Sequence, residues 1–475
     1  LASASRTRLR RTRGREMGDE PLPVTVLYAP GLEGMAKELA KELESDYPAV
    51  CTDSLSDGSE DPAVSWEHFP SGDPNIKVSL KAVQNRHVVF LMNSDKEMLF
   101  EQLSLLLFLQ RFHEPHPLPE YAKKKWKSSM ADSKYNISSA ASITVVIPWY
   151  RHCQMERTSR WARANGKWTN ADPEGGFLDV PTALQFAALL SAPPILAGPL
   201  GGPHSLPLLP KKQLLLLDIH EYEDLEMALV ASGAWANRPV PYDQDFGTGT
   251  FFASAFDSFL QDVFLPERGG NASSVYVVFP DFGAHRRFCA MVMRACGMKE
   301  EQVLWIPKSR VGADIQQTDG LMFLDSTGVE RLCEARLSAS SHILLADDFT
   351  NSGSTLFGGA TIIRRHAEPG AHVAAFVSHF VGKYNRSVVT EFVTTLYNPS
   401  SGLDTFYCTD SVAQTVSWLK EEMADRRAKN EPERCRVMSL AKVIAKWVVK
   451  HPLAVEAPPP VTESASLFRD LCGIV

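Results

Sequence analysis

Two carboxylates and a run of small residues stand together in Asp347-Asp348-Phe349-Thr350-Asn351-Ser352-Gly353-Ser354-Thr355. Paired carboxylates bind the hydroxyls of a sugar ring, directly or through a divalent cation. The small residues predict a tight turn whose backbone N–H groups close around an anion. The stretch therefore predicts a site for a ligand with a hydroxyl-bearing ring and a phosphate tail. The alternative is an ordinary strand-to-helix turn with a solvated acidic pair.

A strand and a helix must position these residues. The apolar run from Ile343 to Ala346 is too short for a helix and predicts a buried parallel strand. Residues 356–364 predict a helix, so the loop 351–355 lies at a helix N-terminus, where the helix dipole favours an anion. The acids are then expected where the strand ends.

A second pair of polar residues, Asp218 and His220, follows the apolar run from Leu214 to Leu217. Side chains at i and i+2 of a strand share one face, so this carboxylate and imidazole are able to reach one Mg²⁺ or its waters. The alternative is a histidine that only forms a hydrogen bond at the strand end, because Mg²⁺ normally prefers oxygen ligands.

Composition limits the class of protein. The chain has 475 residues, 44% of them hydrophobic and 22% charged, which predicts a soluble globular protein of about two domains. A net charge of −7 argues against general nucleic-acid binding. The eight cysteines have no Cys-x-x-Cys spacing, which predicts reduced thiols and not a disulfide framework or zinc site. No apolar run is long enough to cross a bilayer.

Alternating strand and helix signals predict two α/β domains in tandem, each a mostly parallel sheet flanked by helices. The pattern opens with a strand at Val24 to Tyr28 and restarts after a polar divide near residue 235. We therefore expect one domain at 22–235, a second at 236–450 and a Pro-rich tail at 451–475.

The Arg-rich start of the sequence is expected to lie outside the fold, as a disordered extension over 1–21. It has the composition of the end of an organelle transit peptide. It is equally compatible with upstream sequence before a start at Met17. The expected compartment is the cytoplasm, or a plastid or mitochondrion if the segment is a transit peptide.

The acid-and-loop string resembles the phosphoribosyl diphosphate (PRPP) loop of type I phosphoribosyltransferases and of ribose-phosphate diphosphokinases, the PRPP synthetases. A whole α/β domain ahead of the loop is the arrangement of the synthetases, and the resemblance implies two tandem phosphoribosyltransferase-like domains. Further strings match the plant-type synthetases in the same order over most of residues 22–450. They are Phe69-Pro70-Ser71-Gly72-Asp73-Pro74-Asn75-Ile76, Phe100-Glu101-Gln102-Leu103-Ser104, Pro148-Trp149-Tyr150, Glu156-Arg157, Gly201-Gly202-Pro203, Phe279-Pro280-Asp281, Ser378-His379 and Thr409-Asp410-Ser411.

The resemblance implies a role for each site residue. The implied ribose 5-phosphate and PRPP ligands are Asp281, Asp347, Asp348, Asn351, Ser352, Gly353, Ser354 and Thr355. The implied ATP ligands are Phe69, Ser71, Asp73, Glu156 and Arg157. Asp218 and His220 are the implied ligands of Mg²⁺. Lys308 and Arg310 match the Lys-x-Arg of a mobile catalytic loop, whose charge would stabilise the diphosphate in transfer.

Simpler structural explanations exist for several of these residues. Asp281 would also serve as an ordinary helix N-cap. Phe69, Ser71 and Asp73 would equally form a Pro/Gly turn that ends a strand. Lys308 and Arg310 would equally be exposed loop residues.

The implied reaction transfers the diphosphate of ATP to O1 of ribose 5-phosphate and yields PRPP and AMP for nucleotide biosynthesis. The expected assembly is a homo-oligomer without nucleic-acid or membrane partners. One alternative is a non-catalytic, synthetase-like regulatory subunit. It is favoured by the acidic string after His220, where the family often has a Gln- and aromatic-rich one, and by the lack of basic residues in 311–318. The other alternative is a phosphoribosyltransferase with an added domain.

Overall fold

A computed structural model describes most of the chain. The described residues are 22–45, 63–110, 140–152, 159–164, 166–171, 174–192, 210–220, 222–237, 251–270, 272–311 and 314–453. Within them, one five-stranded and one eight-stranded sheet carry the fold, with helices on their faces. The predicted α/β architecture is confirmed. None of the helices in these ranges has the length and apolarity needed to cross a lipid bilayer.

The first sheet is parallel throughout. Its central strands are apolar because both faces are covered, and Leu214 to Leu217 are fully buried. In spatial order the strands are Val24–Tyr28, His87–Leu91, Ser142–Ile147, Lys211–Leu217 and Phe252–Ala253. The helices between them are Glu33–Glu42, Leu80–Val83, Leu99–Leu109, Thr182–Ser191 and Glu223–Ala231.

The second sheet is parallel except for two antiparallel strands at one edge. In spatial order its strands are Glu330–Leu332, Met322–Leu324, Val303–Trp305, Val275–Phe279, His342–Thr350, His372–Phe380, Thr405–Thr409 and Cys435–Met438. The helices of this half are Ala255–Phe259, Phe282–Cys296, Ser354–His366, Arg386–Tyr397, Ala413–Ala428 and Ala441–Lys450. Because the parallel strands share one direction, their carboxyl ends meet at one edge, where ligands of open α/β sheets bind.

Short polar strands are where the sequence-based expectations differ from the structure. A small antiparallel sheet consists of Arg160–Ala164, Lys167–Asn170 and Phe177–Leu178, although the sequence of residues 165–176 predicts a loop. Two hairpins lie outside the main sheets, Val64–His68 with Pro74–Val78 and Lys308–Val311 with Asp314–Gln317. The strands Arg160–Ala164 and Phe177–Leu178 have no buried residue, so they lack the apolar alternation that marks a strand in sequence.

The two halves share elements across the predicted divide near residue 235. The strand Phe252–Ala253 lies beyond that divide and yet pairs with Lys211–Leu217 of the first sheet. The last helix, Ala441–Lys450, packs its apolar face against the core of the first sheet, where Ile444 and Trp447 join Leu39. The first sheet therefore takes its edge strand and one covering helix from the predicted second domain. Residues 1–21 and 454–475, which hold the predicted extension and nearly all of the tail, lie outside the described residues.

Candidate ligand site

The acidic strand, His342–Thr350, continues through both carboxylates and does not end at Ala346 as predicted. It stays paired with His372–Phe380 as far as Thr350 opposite Phe380. Successive side chains of a strand point to opposite faces, so the two acids have different environments. Asp348 is buried at 2% exposure, whereas Asp347 is half-buried.

The loop 351–355 leads into the helix Ser354–His366 through Gly353, whose φ is +81°. Gly353 offers no side chain to cap the first helical turn, and its own N–H donates to Thr350 Oγ1 at 3.0 Å. Ser354 and Thr355 are exposed. Ser352 Oγ donates to Ser354 Oγ at 3.3 Å. An uncapped first turn beside several hydroxyls is the arrangement that a phosphate group requires.

Gly353→Ala is expected to lower the free energy of unfolding by more than the roughly 1–2 kcal/mol of left-handed backbone strain. A Cβ at this position would stand 2.5 Å from the Phe392 ring and 2.9 Å from Phe357. Gly297→Ala is the matched control, because Gly297 has a φ of +61° and nothing within 4 Å of the added Cβ. Urea denaturation measures both. Equal losses in the two variants would refute the close approach of Phe392.

Asp348 is contacted by one nitrogen-bearing side chain from each half of the molecule. His220 Nδ1 lies 2.8 Å from Asp348 Oδ2, and Arg287 Nη1 lies 2.6 Å from the same oxygen. We call these three residues the Asp348 cluster. Arg287 was not among the site residues predicted from the sequence, although its position in the sequence indicates a role. Arg287 lies on the same helix face as buried Ala284 and Phe288, and a charge on such a face requires a carboxylate partner.

The pKa values of Asp347 and Asp348 shift in opposite directions. Burial raises the pKa of Asp348, but the Arg287 charge and the hydrogen bond from His220 outweigh it and hold this pKa well below its usual range. Burial also raises the pKa of Asp347, and here the neighbouring carboxylates of Asp348 and Asp281 add to the shift, so that this pKa lies well above its usual range. The site therefore holds one ionised acid beside one that favours its proton.

Asp281 links this group to the predicted catalytic segment. Its Oδ1 accepts from Ala284 N at 2.9 Å, which is the N-cap arrangement, while Oδ2 lies 2.6 Å from Lys308 Nζ. Burial raises the pKa of Asp281, but the bond from Lys308 and the capped N–H outweigh it and lower this pKa below its ordinary value. Gln317 Nε2 donates to Pro280 O at 3.2 Å and joins the base of the hairpin to this turn. Arg310 lies on the same strand as Lys308, and its side chain is outside the description.

Asp218 has a structural environment that sequence reasoning did not anticipate. It is 7% exposed, and its Oδ2 accepts from Ala255 N at 2.9 Å, Phe256 N at 3.1 Å and Ser378 Oγ at 2.5 Å. Burial raises the pKa of Asp218 to about 6, against the effect of these hydrogen bonds. These three donors engage Oδ2, and the metal role of Asp218 stays a prediction. The described residues contain no group of three His, Cys, Asp or Glu side chains arranged to hold a metal ion.

The predicted ATP ligands lie in part outside this edge of the sheet. Phe69, Ser71 and Asp73 form the turn of the hairpin Val64–His68 and Pro74–Val78, where Ser71 Oγ donates to Asp73 Oδ2 at 2.7 Å. The Phe69 ring is 51% exposed, so its face is open to a planar ligand. Glu156 and Arg157 lie outside the described residues.

Comparison with known proteins supports the resemblance drawn from the motifs. No protein-family model matches the chain. The chain is 24% identical to ribose-phosphate pyrophosphokinase 4 of Arabidopsis thaliana over 382 residues, which cover 80% of this chain and 82% of that protein. The crystal structure of phosphoribosylpyrophosphate synthetase from Mycobacterium smegmatis matches with a TM-score of 0.50 and 15% identity, over 90% of this chain and 98% of that one. The predicted fold and the likeness to PRPP synthetases are confirmed.

Proposed function

We propose that this protein is a ribose-phosphate diphosphokinase, which transfers the diphosphate of ATP to O1 of ribose 5-phosphate and releases AMP. One observation carries the proposal. At the carboxyl edge of the second sheet, the acidic strand that leads into the loop 351–355 contacts Arg287 and His220 through Asp348, and Lys308 contacts the neighbouring Asp281. A sugar phosphate and a polyphosphate need this combination of acids, an anion cradle and cations.

The second half of the molecule would hold the sugar phosphate. The hydroxyls and backbone of the loop 351–355 bind the 5-phosphate at the helix N-terminus. Asp347 and Asp348 take the ribose hydroxyls, and the proton favoured on Asp347 allows that acid to donate as well as accept. Both contacts fix O1 in one position relative to the nucleotide, which removes most of the orientational freedom of the attack.

The transferred group requires positive charge and no protein nucleophile. Lys308 Nζ lies 2.6 Å from Asp281 Oδ2, and both side chains are about one-third exposed. A diphosphate carries more negative charge than one carboxylate, so it competes for the lysine. Lys308 and Arg310 would then close over the β-phosphate and stabilise the charge that passes across it.

The nucleotide would lie against the first half. In the proposal Phe69 stacks on adenine, Ser71 and Asp73 bond to the base, and Glu156 and Arg157 border the triphosphate. Mg²⁺ would accompany the nucleotide and neutralise part of its charge. His220 and Asp218 stay its proposed contacts, and three hydrogen bonds to Asp218 Oδ2 hold that carboxylate in place. Assembly as a homo-oligomer is also part of the proposal.

The test is AMP release from ATP with Mg²⁺, with and without ribose 5-phosphate, on the full chain. The proposed enzyme forms equimolar AMP and PRPP only with both substrates. Consumption of PRPP with a nucleobase and no ATP would identify a phosphoribosyltransferase instead. Asp347→Ala should raise the KM for ribose 5-phosphate, because it removes one of the two acids that are proposed to bind the ribose hydroxyls.

The engagement of Asp218 favours a second candidate, a non-catalytic subunit that regulates an active synthetase. A carboxylate expected at the nucleotide is occupied by Ala255, Phe256 and Ser378 instead. Such a subunit would bind ribose 5-phosphate, release no AMP alone and change the rate of an added active synthetase. The same AMP assay with and without that second enzyme separates the two candidates.

A further inference from the structure

Several sequence motifs without an assigned role meet at one buried point between the two halves. Ser378 and His379 come from the second sheet, Ser411 follows the next strand of that sheet, and Trp149 follows a strand of the first sheet. All of them lie around Asp218, at the end of the strand Lys211–Leu217. The point is buried, since His379 is 1% and Asp218 is 7% exposed.

His379 makes the central contacts. Its Nε2 lies 3.1 Å from Leu217 O and 3.2 Å from Asp218 O, and its Nδ1 lies 2.9 Å from Ser411 Oγ. A carbonyl only accepts, so Nε2 carries the proton and donates to both carbonyls. In a neutral ring Nδ1 is then an acceptor for the Ser411 hydroxyl, which also lies within donating distance of Ser378 O at 3.1 Å. The Trp149 ring packs on the imidazole with centroids 4.4 Å apart. Burial lowers the pKa of His379 to about 4, which is consistent with a neutral ring.

Ser378 also contacts Asp218. Its hydroxyl donates to Asp218 Oδ2 at 2.5 Å, so neighbouring residues of one strand hold the carboxylate and the carbonyl of Asp218. Asp218 has a φ of +38°, a backbone conformation that costs about 1–3 kcal/mol and persists only where contacts impose it. The chain bends here, and two residues later His220 reaches Asp348.

We infer that Ser378 and His379 are positioning residues, which hold the Asp218 bend so that His220 of the first half meets Asp348 of the second. They touch neither proposed substrate. Their role is to fix the geometry between the half that would carry the nucleotide and the half that would carry the sugar phosphate. The inference rests on the proposed function for its catalytic consequence, but its structural part is independent of activity.

Two substitutions at His379 separate positioning from packing. His379→Phe keeps a ring against Trp149 and removes the donor to the Leu217 and Asp218 carbonyls. It should lower kcat for AMP formation about 100-fold, the effect of a displacement of roughly 1 Å at a reacting group. The KM for ribose 5-phosphate should stay within about threefold, because the loop 351–355 is not held by His379. His379→Gln, which retains an N–H donor, should recover most of the loss.

His372→Phe is the matched control, since His372 begins the same strand at the opposite edge of the sheet. It should leave kcat and KM near their wild-type values. If His379→Phe retains wild-type kcat, or if His379→Gln is no better than His379→Phe, the positioning role is overturned.

A readout without activity tests the structural part. ¹⁵N spectra of the histidine-labelled full chain, with the His379 signal assigned by its loss in His379→Gln, should show a protonated Nε2 and an unprotonated Nδ1. The opposite tautomer would overturn the inference whether or not the protein is active. A wild-type protein with this tautomer that releases no AMP would refute the proposed function and leave the interdomain contact standing.

Discussion

Lys308→Ala is expected to lower kcat for AMP formation by about 10³-fold, while the affinity for ribose 5-phosphate stays within a few-fold of wild type. A preorganised cation or donor at developing charge is worth about 10²–10³ in rate. The loop 351–355 and the acidic strand bind the sugar phosphate without help from Lys308, so ground-state binding survives. Initial rates of AMP release and calorimetric titration with ribose 5-phosphate measure the two quantities.

Lys446→Ala is the matched control for that prediction. Lys446 forms a 2.6 Å ion pair with Asp262, the same distance as between Lys308 and Asp281, on the exposed side of the helix Ala441–Lys450. Exposed pairs of this kind contribute about 0–1 kcal/mol, so this variant should keep full turnover and stability. Unchanged turnover in Lys308→Ala would remove Lys308 from the mechanism. A loss of ribose 5-phosphate binding in that variant would instead place Lys308 at the sugar phosphate.

Local sequence was enough to predict the acidic strand and the loop after it. The apolar run, the paired acids and the small residues are adjacent in the chain, and each follows a local rule of strand, turn or helix start. The observed strand is longer than predicted because Thr350 still pairs with Phe380 of a neighbouring strand. That extension depends on a partner 30 residues away and has no local signal.

The contacts that define the site are long-range, and this is why they were missed. Arg287 meets Asp348 across 61 residues of sequence, and His220 meets it across 128. Ser378 reaches Asp218 across 160 residues and donates a hydrogen bond to its carboxylate, a contact that no local pattern predicts. A sequence pattern indicates that a carboxylate ends a strand. Only the packing of the two sheets decides whether that carboxylate pairs with a cation or accepts a hydrogen bond from a hydroxyl.

Arg287→Met should lower the free energy of unfolding at pH 7.5 by about 3–5 kcal/mol, because it leaves the buried Asp348 carboxylate with less compensating charge. The Asp348 side chain is 3% exposed and that of Arg287 15%, so solvent screens the pair weakly. Arg386→Met is the control. Arg386 lies 2.7 Å from Glu421 with 61% and 50% exposure, and its loss should cost at most about 1 kcal/mol. Urea denaturation measures both variants.

The pH dependence of the stability lost in Arg287→Met identifies the cause of that loss. In the wild type the pKa of Asp348 is lowered, so its ionisation stabilises the fold above the unfolded pKa of about 3.9, and this stabilisation is lost as the pH falls. Without Arg287, burial dominates and raises the folded pKa above the unfolded value, so the variant loses stability as the pH rises. The cost of Arg287→Met should therefore be larger at pH 7.5 than at pH 5.

The double variant Arg287→Met/Asp348→Asn removes the buried charge together with its partner. It should recover most of the stability that Arg287→Met loses, since a neutral amide has a far smaller desolvation cost than a carboxylate. A double variant as unstable as Arg287→Met, with a cost that does not change between pH 5 and 7.5, would show that the arginine acts through its packing. In that case the ionised form of Asp348 in the wild type would depend on His220 and not on Arg287 for its stabilisation.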